Sequence, residues 1–441
     1  MKLYFILIIV FFLNNCSFDN KTGIWDNEKN ITKENNDQFK DFKTISSSQE
    51  IFNQIIPLAK TLKIKLPSLT KPENWNEIFY NNNNNYVNFD YNYSNQEIFK
   101  SKKLTKYTTG EYILFSKNNL IFYDEKGNII IYSLTEKKIK KRFNFYKKKL
   151  KKFKKKLNLI IDKNIIFVTD NLGYAYAFDF LENKLIWAKN YKVPFSSNLK
   201  VSDNNLFTSN INNVFLIIEK ENGNNIQKIP TEEVFVKNNF KDNLSQNENS
   251  IFYLNTFGSL YSINAKNFRV NWYMILNIGA GSNLNDLFNG NQIINDNGYI
   301  VVTSNKSTYI IDENSGSIIY KFNIISKIKP IIINKYLFLI SNNNLLISLN
   351  IESGTIVYSY DLDEKISKFL NIKKKEAKFK FFTLANNNLF IVLENSYFLK
   401  LDISGELLDI NKFNSKMKSS PIFVDNSILY LNPKNKLLGI N

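Results

Sequence analysis

The chain has 441 residues, and its 58 lysines and arginines against 40 acidic residues give a formal net charge of +18. It contains no histidine and a single cysteine, which excludes histidine-based catalysis and an intrachain disulfide. Aromatic residues make up 15% of the chain, a content typical of an all-β interior with ample core material. Composition therefore favours a β-rich binding or structural protein over a histidine- or thiol-dependent enzyme.

The N-terminus has the pattern of an export signal. Lys2 precedes an apolar run from Leu3 to Leu13, which is too short to span a bilayer and suits a signal-peptide core. The residues that follow, Leu13-Asn14-Asn15-Cys16, resemble a bacterial lipobox, in which the cysteine is acylated and becomes the first mature residue. We expect residues 1–15 to be a lipoprotein signal peptide and Cys16 to carry lipid. A soluble secreted protein or an uncleaved anchor remains the alternative.

Residues 16–70 are polar, with a small apolar patch around Phe52 and Ile55. This composition buries too little surface to fold alone, so the segment is predicted to be a flexible tether. Residues 71–441 are predicted to form the folded body.

That body contains a repeat of about 44 residues. An acid or amide is followed four residues later by Gly and four residues after that by an aromatic, most clearly at Asp312-Gly316-Tyr320 and Asn350-Gly354-Tyr358. Further copies start at positions 135, 179, 219, 264 and 402, and position 441 falls in register. The acid or amide is expected to cap its own turn, Gly to supply positive φ, and the aromatic to fill a blade junction. A period of this length indicates a propeller or a solenoid.

Each unit contains short β-branched and aromatic runs separated by Asn, Asp and Gly, which are hairpin signals. The predicted fold is all-β, an eight-bladed propeller with four-stranded antiparallel blades. The last unit, residues 421–441, has room for three strands. We therefore expect a strand from residues 93–106 to complete it, because ring closure removes open sheet edges.

A lysine-rich run begins at Lys147 and ends at Lys156, and it contributes eight of the positive charges. An amphipathic helical turn there could attach to anionic lipid or to an acidic partner. A solvated loop between blades is the alternative interpretation. Nucleic acid is not an expected partner of an exported lipoprotein.

The repeat resembles that of pyrroloquinoline-quinone (PQQ) propellers, whose enzyme members hold the quinone beside calcium and a vicinal disulfide. This chain cannot form that disulfide, and its sequence shows no acid–amide cluster for calcium. The resemblance therefore implies the fold without the quinone chemistry, and we expect no cofactor, no metal and no catalytic residue.

Lipobox, tether and eight degenerate repeats together resemble the BamB family of outer-membrane protein assembly lipoproteins. The segment at 192–200 is similar to members of that family, as is Glu73-Asn74-Trp75. The resemblance implies a non-enzymatic scaffold of the β-barrel assembly (BAM) complex. Such a scaffold docks on the POTRA domains of the barrel-inserting subunit and faces the periplasm from the outer membrane.

In the family, the contact lies on loops between consecutive blades. The corresponding partner-binding residues here are Val193, Phe195, Ser196, Asn238 and Asn239, although core packing is an equal alternative for Phe195. Two other functions remain open for the whole chain. One is a periplasmic propeller that binds a quinone or small ligand for an oxidoreductase, and the other is an adhesion or polysaccharide-binding propeller.

Overall fold

The computed structural model describes residues 51–59, 64–233, 241–276, 288–290 and 292–441, together with the backbone of two short N-terminal strands. Contacts divide the chain into Met1–Ser46 and Ser47–Asn441. In the first unit, β1 (Ser17–Phe18) pairs antiparallel with β2 (Trp25–Asp26). The predicted signal peptide and Cys16 lie outside the described residues.

The second unit is an eight-bladed propeller, as the repeat predicted. Consecutive strands pair antiparallel within each blade, and the first strand of a blade is the innermost. Three strands precede the first blade: β3 (Leu69–Thr70), β4 (Asn88–Phe89) and β5 (Glu97–Lys100). Blades 1 to 4 follow in order: β6 (Leu114–Ser116), β7 (Asn119–Tyr123), β8 (Asn128–Ser133), β9 (Lys138–Asn144); β10 (Leu157–Asp162), β11 (Ile165–Asp170), β12 (Tyr174–Asp179), β13 (Lys184–Asn190); β14 (Lys200–Val201), β15 (Asn205–Ser209), β16 (Val214–Glu219), β17 (Asn225–Pro230); β18 (Asn243–Gln246), β19 (Ser250–Leu254), β20 (Ser259–Asn264), β21 (Val270–Ile275).

Blades 5 to 8 repeat the same pattern, with one helix between blades 6 and 7. Their elements are β22 (Ile294–Asp296), β23 (Tyr299–Thr303), β24 (Thr308–Asp312), β25 (Ile318–Phe322); β26 (Ile331–Ile333), β27 (Tyr336–Ile340), β28 (Leu345–Asn350), β29 (Ile356–Asp361); α1 (Leu362–Leu370); β30 (Phe379–Ala385), β31 (Asn388–Leu393), β32 (Tyr397–Leu401), β33 (Leu407–Lys412); β34 (Ile422–Val424), β35 (Ser427–Leu431), β36 (Leu437–Ile440). Short 3-10 turns occur at Ile51–Asn53 and Lys148–Leu150. No helix in the described ranges is long and apolar enough to cross a bilayer.

Blade 8 is closed by the chain's other end. β36 pairs antiparallel with β5, which supplies the fourth, outermost strand. This confirms the closing strand predicted within residues 93–106. The outer edge of β36 is therefore paired, and the two ends of the chain meet in one blade, which closes the ring.

The repeat residues join neighbouring blades. The Trp187 indole Nε1 in blade 2 donates to the Lys220 carbonyl in blade 3 at 2.7 Å. A Cβ on Gly223 would approach that indole to 2.4 Å, and the φ of this glycine is +71°. Gly therefore serves both the turn and the close approach of the ring.

The same arrangement recurs further along the ring. The Trp272 indole Nε1 donates to the Glu313 carbonyl at 3.2 Å, and the Tyr358 hydroxyl to the Ile403 carbonyl at 3.0 Å. Asp312 Oδ1 accepts bonds from two backbone amides of its own turn. The roles predicted for all three repeat residues are thus confirmed in these blades.

The segment from residue 75 to residue 92 fills one end of the central channel. Its backbone and side chains contact the inner strands of successive blades in ring order, from Trp75 paired with Phe115 in blade 1 to Phe89 stacked on Phe423 in blade 8. β4 pairs in parallel with β30 of blade 7. We call residues 75–92 the axial segment.

Asparagines fix the axial segment in the channel. The Asn84 amide Nδ2 donates to the carbonyls of Leu244 in blade 4 and Ile293 in blade 5, each at 2.8 Å. The Asn85 amide exchanges two hydrogen bonds with the backbone of Ile332 in blade 6. The asparagine run at 81–85 therefore has a structural role.

A buried ion pair secures the same segment to blade 3. The Lys200 ammonium Nζ lies 2.6 Å from the Glu77 carboxylate Oε2 and 2.8 Å from Asn84 Oδ1. Burial lowers the pKa of Lys200, and the Glu77 carboxylate opposes that shift. Because both charges are buried, removing either partner would leave the other charge unpaired in the interior.

The second half of the predicted tether also contacts the propeller. Ile56 pairs with Ser359 along the outer edge of blade 6, and Phe52 is buried against Phe322 at 5.6 Å between ring centroids. The Asn343 amide bonds Asn53. The apolar patch around Phe52 thus clamps residues 51–58 to the sheet edge.

We predict that Asn84→Ala destabilises the propeller by about 3 kcal/mol. The change would remove the amide donor to the Ile293 carbonyl, one of the two side-chain amide donors to the Leu244 carbonyl, and an acceptor of Lys200. Each lost hydrogen bond costs roughly 1–3 kcal/mol where it leaves a buried group unpaired. Urea unfolding measures the effect, with Asn82→Ala as the matched control because the Asn82 side chain is exposed. Equal stability of the two variants would contradict a fixing role for Asn84.

Candidate docking face and central funnel

One end of the ring carries all the crossings between blades. Each outer strand ends there, and the chain passes to the next inner strand, so we call this end the connection face. Its fully described loops are residues 101–113, 145–156, 191–199, 323–330, 362–378 and 413–421. The axial segment lies at the opposite end, where the inner strands finish.

A funnel opens on the connection face. A cavity of about 520 Å³ is lined by residues at the start of the inner strands of blades 1 and 2 and by residues just before the inner strands of blades 3 to 5. A second cavity of about 220 Å³ adjoins it. The two share Glu111, Tyr112 and Gln292. They therefore form one concave space above the axial segment.

The axial segment provides an apolar floor. Ile78 lines the larger cavity, and Phe79 and Tyr86 line the smaller one. Phe195 and Leu157 add apolar wall surface from blades 3 and 2. The funnel is thus closed at its base by aromatic and aliphatic side chains.

Lysines dominate the charge of the funnel. Lys156, Lys241, Lys329 and Lys380 line it, and none has a carboxylate within ion-pair distance in the described part of the chain. Glu111 is an exposed acid among them. The funnel is therefore a cationic recess.

Several of these ammonium groups are partly desolvated. Burial lowers the pKa of Lys241, although Glu111 raises it, and the charge of Lys156 lowers it further. Burial also lowers the pKa of Lys380 and holds that of Lys329 well below its usual value. The Lys329 ammonium lies 3.8 Å from the Tyr86 ring centroid and donates to the Asn84 carbonyl at 2.9 Å.

A buried carboxyl lies beside the lysines. Asp242 is 1% exposed, and its oxygens accept bonds from Ser196, Ser209, Tyr253 and the backbone of Thr256. Burial raises its pKa to about 6, and these donors oppose the shift. This network joins the 191–199 loop and blade 3 to the start of blade 4, so the role of the Asp242 carboxyl is structural.

Three of the five residues predicted to contact a partner are described, and they lie on the 191–199 loop. Phe195 is 4% exposed and lies edge-on to Tyr191 at 5.3 Å, so its surroundings are those of the packing alternative. Val193 is half-buried on the same loop, and Ser196 donates to Asp242. Asn238 and Asn239 lie outside the described residues. A contact role for these residues stays a prediction.

The lysine-rich run forms the connection between blades 1 and 2. A 3-10 turn occupies Lys148–Leu150, and Phe153 is 46% exposed among the lysines. Lys155 differs from its neighbours, because it is buried and its ammonium lies 4.9 Å from the Tyr146 ring centroid. Lys155 is therefore a structural residue, whereas the remaining lysines of the run face solvent.

The funnel lysines outside that run were not predicted from the sequence. Lys241 and Lys329 each precede an inner strand by two residues, and Lys380 is the second residue of one. The detectable signal was a lysine at the start of an inner-strand apolar run, repeated in several blades. Strong lysine bias throughout the chain masked it.

The residues present do not fit the calcium-bound quinone that PQQ propeller enzymes hold. No group of three or more acidic or cysteine ligands that could hold a metal occurs among the residues that the structure describes. The axial position is filled by Phe79, Tyr86 and Lys329.

A family model described as the outer membrane protein assembly factor BamB matches residues 147–360. That range runs from the lysine-rich loop through blades 2 to 6. The predicted BamB-like PQQ-type repeat is confirmed there. No curated protein matches the sequence significantly.

Solved structures with the same fold include proteins of different functions. BamB from Moraxella catarrhalis matches with TM-score 0.61 and 10% identity, covering 78% of this chain and 99% of that one. A europium-containing methanol dehydrogenase gives 0.60 and 11%, with 84% and 90% covered. The quinohemoprotein alcohol dehydrogenase from Comamonas testosteroni gives 0.61 and 8%, with 84% and 81% covered. At these identities the likeness shows the fold alone.

We predict that Asp242 makes stability fall as pH rises from about 4 to 6. Its folded pKa of about 6 exceeds its ordinary value of 3.8, so the folded state binds more protons in that range than the unfolded state. The pH-dependent change in the free energy of unfolding should be smaller by about 3 kcal/mol in Asp242→Asn. Urea unfolding at pH 4 and pH 7 tests this, with the exposed Asp203→Asn as control. If the stability of Asp242→Asn depended on pH as the wild type does, Asp242 could not be a buried carboxyl with a raised pKa.

Proposed function

Because residues 147–360 carry the BamB-type repeat, we propose that the protein is a scaffold subunit of the machinery that assembles outer-membrane proteins. It docks on the POTRA domains of the barrel-inserting subunit and performs no chemistry itself. The family match over five blades is the observation that supports this most directly.

The connection face supports docking at that end of the ring. It presents the lysine-rich loop, the loop at 191–199 and α1, with Phe153 and Phe369 exposed on it. Exposed aromatics among charged residues are common features of protein interfaces. The opposite end lacks comparable crossings, since the chain passes between blades at the connection face.

A non-enzymatic role is consistent with the side chains available. The whole chain lacks histidine, and its single cysteine is the predicted lipidation site. The Asp242 carboxyl, whose pKa is raised by burial to about 6, is 1% exposed and accepts hydrogen bonds from Ser, Tyr and backbone donors. Its arrangement stabilises a loop and leaves no oxygen directed at a substrate.

The proposed location is the outer membrane, facing the periplasm, with palmitate or a similar acyl chain on Cys16. The lipobox-like residues 13–16 and the BamB-type repeat support this assignment. Ser17 and Phe18 after the cysteine agree with onward transport to the outer membrane, where an acidic residue would disfavour it.

We predict that Cys16→Ser releases the protein from membranes. Loss of the acylated residue removes the buried hydrocarbon that holds a lipoprotein to the bilayer. Fractionation of cells into membrane and soluble material, followed by immunoblotting, measures the change. Retention of the variant in the membrane fraction would instead support an uncleaved N-terminal anchor.

We predict that Val193→Asp lowers affinity for the POTRA-containing partner about tenfold while the fold remains intact. A tenfold change corresponds to about 1.4 kcal/mol, the scale of a moderate interface contact. The measurement is affinity capture from detergent-solubilised membranes with quantitative mass spectrometry, and thermal unfolding reports the fold.

Two matched variants control that experiment. Ile226→Asp places the same charge on the outer wall of blade 3, where the side chain is 47% exposed, and should not alter capture. Phe195→Asp buries a charge and should unfold the blade junction. Recovery of a dehydrogenase in place of a POTRA protein would overturn the proposed function.

A further inference from the structure

The funnel has an excess of positive charge that the described protein does not neutralise. Lys156 ends the loop that leads into blade 2, and Lys241 lies in the loop that leads into blade 4. Neither ammonium has a hydrogen-bond or ion-pair partner among the described residues. Lys329 and Lys380 donate to backbone carbonyls, and neither has a carboxylate within ion-pair distance among the described residues. An anion entering the funnel would therefore meet several cations.

Lys156 and Lys241 repel one another within the recess, and Lys329 is repelled by Lys200, which does not line it. The charge of Lys156 lowers the pKa of Lys241, and Lys200 acts in the same direction on Lys329. Clefts lined by one sign of charge focus the field and attract ligands of the opposite sign. A bound anion would relieve the repulsion and compensate the partly desolvated ammonium groups.

Apolar surface separates the two cationic positions. Phe195 of blade 3 lies between blades 2 and 4 in ring order, with Leu157 next to Lys156. The wall thus runs from cation to apolar surface to cation. This order matches a ligand in which an apolar group lies between two anionic groups.

We propose that the funnel receives an acidic peptide segment of the docking partner, with an apolar side chain flanked by carboxylates. This deepens the proposed scaffold function and rests on it. The carboxylates pair with Lys156 and Lys241, and the apolar side chain packs on Phe195 and Leu157 above the axial segment.

The shape of the funnel favours a peptide over a small molecule. Its lining comes from five successive blades, and it opens on the face where the inter-blade loops lie. Small ligands are usually enclosed on most of their surface, whereas interface residues insert side chains into open recesses. The axial segment blocks passage beyond the floor.

The test uses the purified full-length chain and a fluorescein-labelled peptide of alternating aspartate and leucine. The same peptide with asparagine in place of aspartate is the charge control. We expect the acidic peptide to bind at least tenfold more tightly, with affinity that falls as salt rises. Equal binding of both peptides would overturn the proposal.

Substitutions of the basic and acidic funnel residues should change affinity for the acidic peptide in opposite directions. Lys156→Gln and Lys241→Gln should each weaken binding about fivefold or more, whereas Glu111→Gln should strengthen it, because Glu111 repels the same carboxylates. Lys184→Gln is the matched control, since this exposed lysine begins β13 at the other end of the ring. Unchanged affinity in both lysine variants would overturn the proposal.

Two further measurements separate the possible failures. Phthalate, a free aromatic dicarboxylate, should compete weakly, and competition at concentrations comparable to the peptide would assign the funnel to small anions instead. Capture of the POTRA protein by Lys156→Gln/Lys241→Gln should fall below wild type. Undiminished capture by that variant would refute funnel docking while leaving the scaffold function in place.

Discussion

The structure depends on one interaction that recurs between blades. An aromatic ring on an outer strand lies against the glycine of the next blade's turn, and its polar atom donates to a carbonyl of that turn. Each such contact buries a large apolar surface and satisfies a backbone group at the same time. A ring built from it needs no disulfide, which agrees with a chain that has one cysteine.

Degenerate copies of the repeat use weaker substitutes. Phe143 has no donor and stacks on Phe178 of blade 2 at 4.0 Å, and Gln227 replaces the aromatic with an amide that reaches the Phe268 carbonyl at 3.5 Å. The axial segment adds contacts that do not depend on the repeat. It joins the inner strands around the ring.

Sequence reasoning succeeded where a pattern was periodic. The spacing at Asp312 and Asn350 determined the fold and the blade number, and the missing strand of the last unit located the closing strand. Periodicity carries this information because each blade solves the same packing problem. Capping by Asp312 and the turn at Gly316 followed from residue chemistry alone.

The remaining features depend on contacts between distant residues. Asn84 bonds carbonyls 160 and 209 positions away, and no local pattern specifies such partners. Lys241 and Lys329 enter one funnel because separate blades converge on the axis. Phe195 shows a related limit, since an apolar loop residue has the same local sequence whether it packs inside or faces a partner.

The clamp at residues 51–58 determines where the N-terminal sequence leaves the propeller. Asn53 bonds Asn343 in a turn on the connection face, so the chain departs at the rim of the same end that holds the funnel. The stretch from position 16 to position 51 can extend at most about 120 Å. A lipid on residue 16 would thus keep the propeller within a fixed maximum distance of the membrane. It would raise the effective concentration of the connection face near any membrane-bound protein within that radius, without adding a contact.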